Sequence, residues 1–82
     1  MHKTTLSGAY LRDARLARKL SLRALGQATG IVYSSISRYE TGERAIPRSD
    51  LGPLGEALGM TAGDAAGLRR LWDLDMDARE AK

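Results

Sequence analysis

The sequence has no cysteine and no phenylalanine, and only one histidine, one tryptophan and two prolines among its 82 residues. Without cysteine there is neither a disulfide framework nor a thiolate metal site, and the lone histidine, His2, sits in a terminus of the kind that frays. Structural zinc is excluded. No run of 18 apolar residues occurs and no basic-then-apolar leader opens the chain, so the sequence implies neither a membrane span nor secretion. The expected compartment is the cytoplasm. Enzymatic chemistry lacks its parts too. No histidine, cysteine or serine falls in a nucleophile–base arrangement, no glycine-rich phosphate loop is present, and paired carboxylates occur only in the acidic tail. The sequence reads as a non-enzyme that needs no cofactor and no metal.

What is present amounts to one small domain. A chain of this length buries only about 60 to 65% of its unfolded surface, so its stability is modest and dimerisation would add to it. The net charge is only +3, but it is unevenly distributed. Residues 1–48 carry nine Lys or Arg against three Asp or Glu, a balance of +6, and residues 49–82 carry four against seven, a balance of −3. The N-terminal part is therefore the face for a polyanion.

The chain is organised around Ser21 to Gly42. Leu22, Leu25, Gly26 and Thr29 have the spacing that gathers one helical face, and Gly30 then breaks the helix with a residue free to take positive φ. A second short helix, Tyr33 to about Thr41, turns Ile36 and Tyr39 inward and leaves Tyr33, Ser34, Ser37 and Arg38 on the other side. That outward face carries hydrogen-bonding groups. Around this pair, a first helix is expected from about Gly8 to Lys19 with Ser7 as N-cap and Leu11 and Ala14 inward. A fourth helix begins at Ser49 or Asp50, because Pro53 belongs in a first turn, and ends at Gly59. Thr61 and Asp64 form a capping box for a fifth helix, about Ala62 to Ala78.

Arg15, Leu20-Ser21, Leu25, Gly30-Ile31, the run Ile36-Ser37-Arg38-Tyr39-Glu40-Thr41-Gly42, Pro47, Leu51, and Leu58-Gly59 together resemble the helix-turn-helix domains of the phage repressor and Cro type, the XRE family. The resemblance covers roughly residues 9 to 61. It implies an all-α, compact five-helix, lambda-repressor-like fold with the helix-turn-helix at helices 2 and 3. The chain then opens with an N-terminal arm over residues 1–7, in which Lys3, Thr4 and Thr5 reach the DNA backbone or are simply disordered. The DNA-binding domain occupies 8–61, and a C-terminal helix over 62–82 is a candidate dimerisation element.

The same resemblance assigns roles. Tyr33, Ser34, Ser37 and Arg38 would contact base edges, and the arginine suits the task because its fork matches guanine O6 and N7. Thr41, Arg44 and Arg48 lie on a loop that runs along the DNA backbone in the family, and Arg23, with Arg18 and Lys19, is a further phosphate candidate. Glu43 is unwelcome on such a loop. Arg15 would pair with Glu40 as a structural ion pair, fixing how two helices cross. Two positions depart from the pattern. Gly26 replaces the usual alanine at a crowded contact, and Val32 replaces a Ser or Thr cap, leaving the start of helix 3 to water or a phosphate.

Leu68, Leu71 and Trp72 share one side of the fifth helix and serve either a two-fold interface or packing against helix 1, while Asp73, Asp75, Asp77 and Glu80 make the tail acidic and keep it away from DNA. The resemblance implies a regulator of prokaryotic or phage origin, a repressor that binds double-stranded DNA as a homodimer on a pseudo-palindromic operator. Two alternatives stay open. One is an antitoxin or other protein-interaction module with a toxin or RNA polymerase as partner, and the other is a restriction-modification controller protein.

Overall fold

Two residues near the N-terminus and a distant aspartate start the first helix. In the computed structural model, which describes residues 4–80, α1 spans Leu6–Ala17. Thr5 is its N-cap, its hydroxyl accepting from the Gly8 N–H at 3.0 Å. Asp75, nearly seventy residues on, accepts from the Leu6 and Ser7 N–H groups at 3.0 and 2.9 Å and from the Ser7 hydroxyl. Donors that a helix start leaves unpaired are thus satisfied from within the chain.

The expected start at Gly8 with Ser7 as cap is corrected accordingly. Ser7 lies inside the helix and is buried, and Gly8 marks a close crossing with the third helix. A Cβ on Gly8 would sit 2.3 Å from the Tyr39 carbonyl oxygen. Of the arm expected over residues 1–7, His2 and Lys3 lie outside the described residues, whereas Leu6 and Ser7 are helical. The helix also ends two residues before the expected Lys19, which takes a left-handed φ of 56° while Leu20 N–H donates back to the Arg15 carbonyl.

α2 (Leu22–Thr29) and α3 (Tyr33–Thr41) form where the hydrophobic spacing places them, and left-handed Gly30 and Gly42 end them at φ 78° and 82°. α4 spans Arg48–Ala57, so it starts earlier than Pro53 alone suggests. Pro53 occupies the second turn, where its missing N–H costs a bond to the Ser49 carbonyl. Gly52 just before it presents no Cβ to the proline ring, and a Cβ there would stand in open space. α5 spans Ala62–Glu80 and opens on the expected reciprocal box. The Asp64 N–H donates to the Thr61 hydroxyl at 3.1 Å and the Thr61 N–H to the Asp64 carboxylate at 3.4 Å.

The core is drawn from all five helices and the loop before α4. Leu11, Leu25, Ile36, Tyr39, Ile46, Leu54 and Leu58 form the buried cluster, with Leu68 of α5 also fully enclosed. α1 packs on α3 and α5, α2 on α3 and α4, and α4 on α5. Among the described residues there is no strand.

The largest departure from the sequence expectation is α5. Leu68 is only 1% exposed in a single chain. Trp72 packs against the core and donates its indole N–H to the Ile46 carbonyl at 2.7 Å, with the Arg69 guanidinium 5.5 Å over its ring. Leu68, offered by the sequence as an interface candidate, is thus buried in its own chain, while Trp72 is partly buried against the core and Leu71 is half-buried. The physical reason is that α5 packs along α1 and α4, so its apolar side chains meet residues of the same chain. Asp75 is corrected as well, from a solvated tail charge to a buried cap of α1.

Candidate nucleic-acid interface

The α2–turn–α3 unit is fixed first by its own backbone. The Ser21 hydroxyl caps α2 by accepting from the Ala24 N–H at 3.0 Å, and the Gly30 N–H closes the helix on the Gly26 carbonyl at 2.8 Å. The Thr29 hydroxyl donates to the Leu25 carbonyl at 2.8 Å and accepts from the Ile31 N–H at 3.2 Å, so it stitches the turn to the helix it leaves. Gly26 permits the approach of the next segment. A Cβ there would meet the Ile31 carbonyl oxygen at 2.8 Å and the Tyr33 nitrogen at 3.4 Å. Glycine at this position is a consequence of a turn packed tighter than an alanine would admit.

α3 is then clamped from its inner side. Ile36 and Tyr39 are buried, and Glu40 is buried with them. The Arg15 guanidinium donates from Nε to Glu40 Oε2 at 2.7 Å and from Nη2 to Oε1 at 2.9 Å, while Nη1 donates to the Leu20 carbonyl at 2.8 Å. The fork ties α1, the α1–α2 turn and α3 into one unit. The hydrogen bonds to Glu40 hold the Arg15 guanidinium above its ordinary pKa, against the opposing effect of burial. Tyr39 donates its hydroxyl to Asp50 of α4 at 2.9 Å, and burial with that hydrogen bond pushes the phenol up to about 12.

On the outer side, Tyr33, Ser34 and Arg38 are exposed and Ser37 is half-buried. Val32 precedes them, 64% exposed and with no side-chain cap for α3. Arg23 of α2 stacks over the Tyr33 ring, 4.8 Å to its centroid, and the two border a shallow groove of about 350 Å³ with Gln27 and Val32. Arg38 pairs with Glu43, Nε to Oε2 at 3.1 Å. The Thr41 hydroxyl donates to the Arg38 carbonyl and accepts from the Glu43 N–H, so it ends α3. Arg44 and Arg48 are exposed on the next loop and the first turn of α4.

The structure thus places Arg23, Tyr33, Ser34 and Arg38 on the α2–α3 unit, Arg44 on the loop after it and Arg48 at the start of α4. Arg18 is drawn elsewhere: its guanidinium lies against Gly59, between α4 and α5. A family model described as a helix-turn-helix domain matches residues 8–70.

The chain belongs to the helix-turn-helix domain family.

Two solved structures are similar to this helix-turn-helix chain. The restriction-modification controller protein C.AhdI from Aeromonas hydrophila is 27% identical, with a TM-score of 0.67, over 72% of this chain and 89% of that one. The clp gene regulator ClgR from C. glutamicum is 26% identical, with a TM-score of 0.69, over 85% of this chain and 87% of that one. No curated relative matches the sequence significantly. No described helix is long and apolar enough to cross a membrane.

Sequence reasoning missed the parts that four residues play in shaping this helix-turn-helix surface: Thr29, Asp50, Glu43 and Trp72. Thr29 and Asp50 are of types that bond locally or cap helices, which was their one available signal. Trp72 acts on the interface at a distance, because its bond to the Ile46 carbonyl holds the loop that carries Arg44 and leads into α4 at Arg48.

Proposed function

We propose that the chain is a sequence-specific DNA-binding transcriptional regulator of the cytoplasm. In this reading it is a repressor that occupies a pseudo-palindromic operator as a homodimer with α3 of each protomer in a major groove. The observation that carries the reading is the division of α3. Ile36, Tyr39 and Glu40 are locked inward by the core and by Arg15, while Tyr33, Ser34 and Arg38 stand exposed, with Arg23 stacked over Tyr33 and Arg44 and Arg48 exposed in the segment that follows α3. A rigid helix with a polar outer face and positive flanks is what major-groove docking requires.

Tyr33, Ser34, Ser37 and Arg38 take the base edges, with Arg38 the strongest discriminator. Arg23, Arg44 and Arg48 take phosphates. Thr41 contributes less to that task, because its hydroxyl already bonds within the end of α3. Two recognition helices would lie about 34 Å apart on B-form DNA. With Leu68 buried and Trp72 partly buried in their own chain, the exposed Leu74, 48% accessible, and the half-buried Leu71 are apolar side chains of α5 available for contact with a second copy.

A second reading, control of restriction-modification genes, is favoured by the extent of the similarity to C.AhdI, which covers 89% of that chain. Selection of bound duplexes from a random oligonucleotide pool at near-physiological salt tests the main reading. A recovered two-fold motif supports a dimeric operator reader, and a folded protein that recovers no motif overturns it in favour of a toxin or another protein partner. Sedimentation of Leu74→Glu, expected to be more monomeric than wild type, tests the dimer contact.

A further inference from the structure

We propose that Glu43 is a positioning residue for Arg38, holding the arginine in the orientation in which it reads a base. The inference rests on the reading of α3 as the base-contacting helix and deepens it.

The geometry comes from the turn after α3. Gly42 takes its left-handed φ of 82°, the Arg44 N–H donates back to the Arg38 carbonyl at 3.2 Å, and the Glu43 N–H donates to the Thr41 hydroxyl at 3.4 Å. The chain therefore folds back over the last turn of the helix and delivers the Glu43 carboxylate to the Arg38 side chain. Its Oε2 stands 3.1 Å from Nε, the inner nitrogen of the guanidinium. This contact engages the root of the fork, whereas an end-on bidentate contact to guanine uses the outer nitrogens, Nη1 and Nη2.

In the free protein both side chains are about half exposed, and water weakens such a pair. Docking in a groove removes that water, and the same contact strengthens as the local dielectric falls. Glu43 also carries a negative charge on a loop otherwise supplied with Arg44 and Arg48, so it opposes phosphate contact by any sequence. An acidic residue there lowers affinity for DNA in general and raises the difference between right and wrong base pairs.

The test is selection from a random duplex pool with wild type, Glu43→Gln, Arg38→Ala and the double variant, alongside binding of each to one fixed random-sequence duplex. For Glu43→Gln, the preference at the base pair lost in Arg38→Ala falls several-fold while binding to the random-sequence duplex tightens. In the Arg38→Ala background, Glu43→Gln leaves base preference unchanged. A Glu43→Gln protein that keeps the full wild-type preference overturns the positioning role and leaves the operator reading intact. A wild-type protein that recovers no motif overturns both. Thermal unfolding of Glu43→Gln close to that of wild type separates this role from a structural one.

Discussion

Replacing Glu40 by alanine leaves the Arg15 guanidinium in a pocket where 11% of its side chain is exposed, with its two carboxylate contacts gone. Arginine cannot escape by losing its proton, and Glu40 has held this one above its ordinary pKa. Breaking a buried pair by removing one partner costs about 3 to 5 kcal/mol, because it strands the other charge. The Leu20 carbonyl still accepts from Nη1, which places Glu40→Ala toward the lower end, about 3 kcal/mol. A domain of this size has roughly 4 to 12 kcal/mol in total. One kcal/mol corresponds to about 4 to 8 °C in Tm for a small domain, so Glu40→Ala should melt at least about 12 °C lower by circular dichroism.

Pairing Arg15→Met with Glu40→Leu removes both charges and fills similar volume. That double variant should recover much of the loss, since a buried ion pair and a well-packed apolar pair are often close in stability. Two results would refute the reasoning: a Glu40→Ala protein within about 1 kcal/mol of wild type, or a double variant whose loss equals the sum of the two single ones.

Arg38→Ala should lose preference at one base pair with the fold unchanged, whereas Arg44→Ala should weaken all duplexes alike and reduce the slope of binding against salt; equal losses of specificity from both would sink the assignment. Gly26→Ala, despite the better helix propensity of alanine, should destabilise by about 1 to 3 kcal/mol, because the new methyl meets the Ile31 carbonyl; chemical denaturation checks the sign. Asp75→Ala removes the acceptor for two α1 N–H groups and the Ser7 hydroxyl, and should cost about 2 to 4 kcal/mol, with faster amide exchange concentrated at Leu6 and Ser7. Tyr39, whose phenol is raised to about 12 in the fold, contributes stability that is complete below pH 10 and is lost as pH climbs toward 12. Wild type minus Tyr39→Phe in denaturant midpoints, tracked over that window, should show the difference shrink, and a constant difference would count against it.

The sequence placed α2 and α3 because their signals are local. Two apolar spacings, a serine whose hydroxyl reaches only the first turn of α2, and glycines at 30 and 42 that end each helix in the left-handed region are all settled within a turn or two. The outward face of α3 came from the same periodicity, and so did the capping box of α5. Where expectation and structure part, the deciding partner is far away in the chain. Ser7 and Thr5 are equally good caps by type, and what separates them is that Asp75 and the Tyr39 carbonyl occupy the space around Ser7 and Gly8.

Composition and periodicity by themselves determined a run of short helices with a basic N-terminal half, because helix propensity, capping and charge balance are properties of neighbouring residues, and the resemblance carried by the motif residues added the helix-turn-helix fold. Tertiary structure alone decided where α5 packs in its own chain. An amphipathic helix bearing Leu68, Leu71 and Trp72 fits a second copy or its own core equally well by pattern, since a hydrophobic face has no address. Burial of Leu68, the Trp72 bond to the Ile46 carbonyl and the Asp75 cap on α1 tie that helix to its own chain, and each depends on residues tens of positions apart meeting in space.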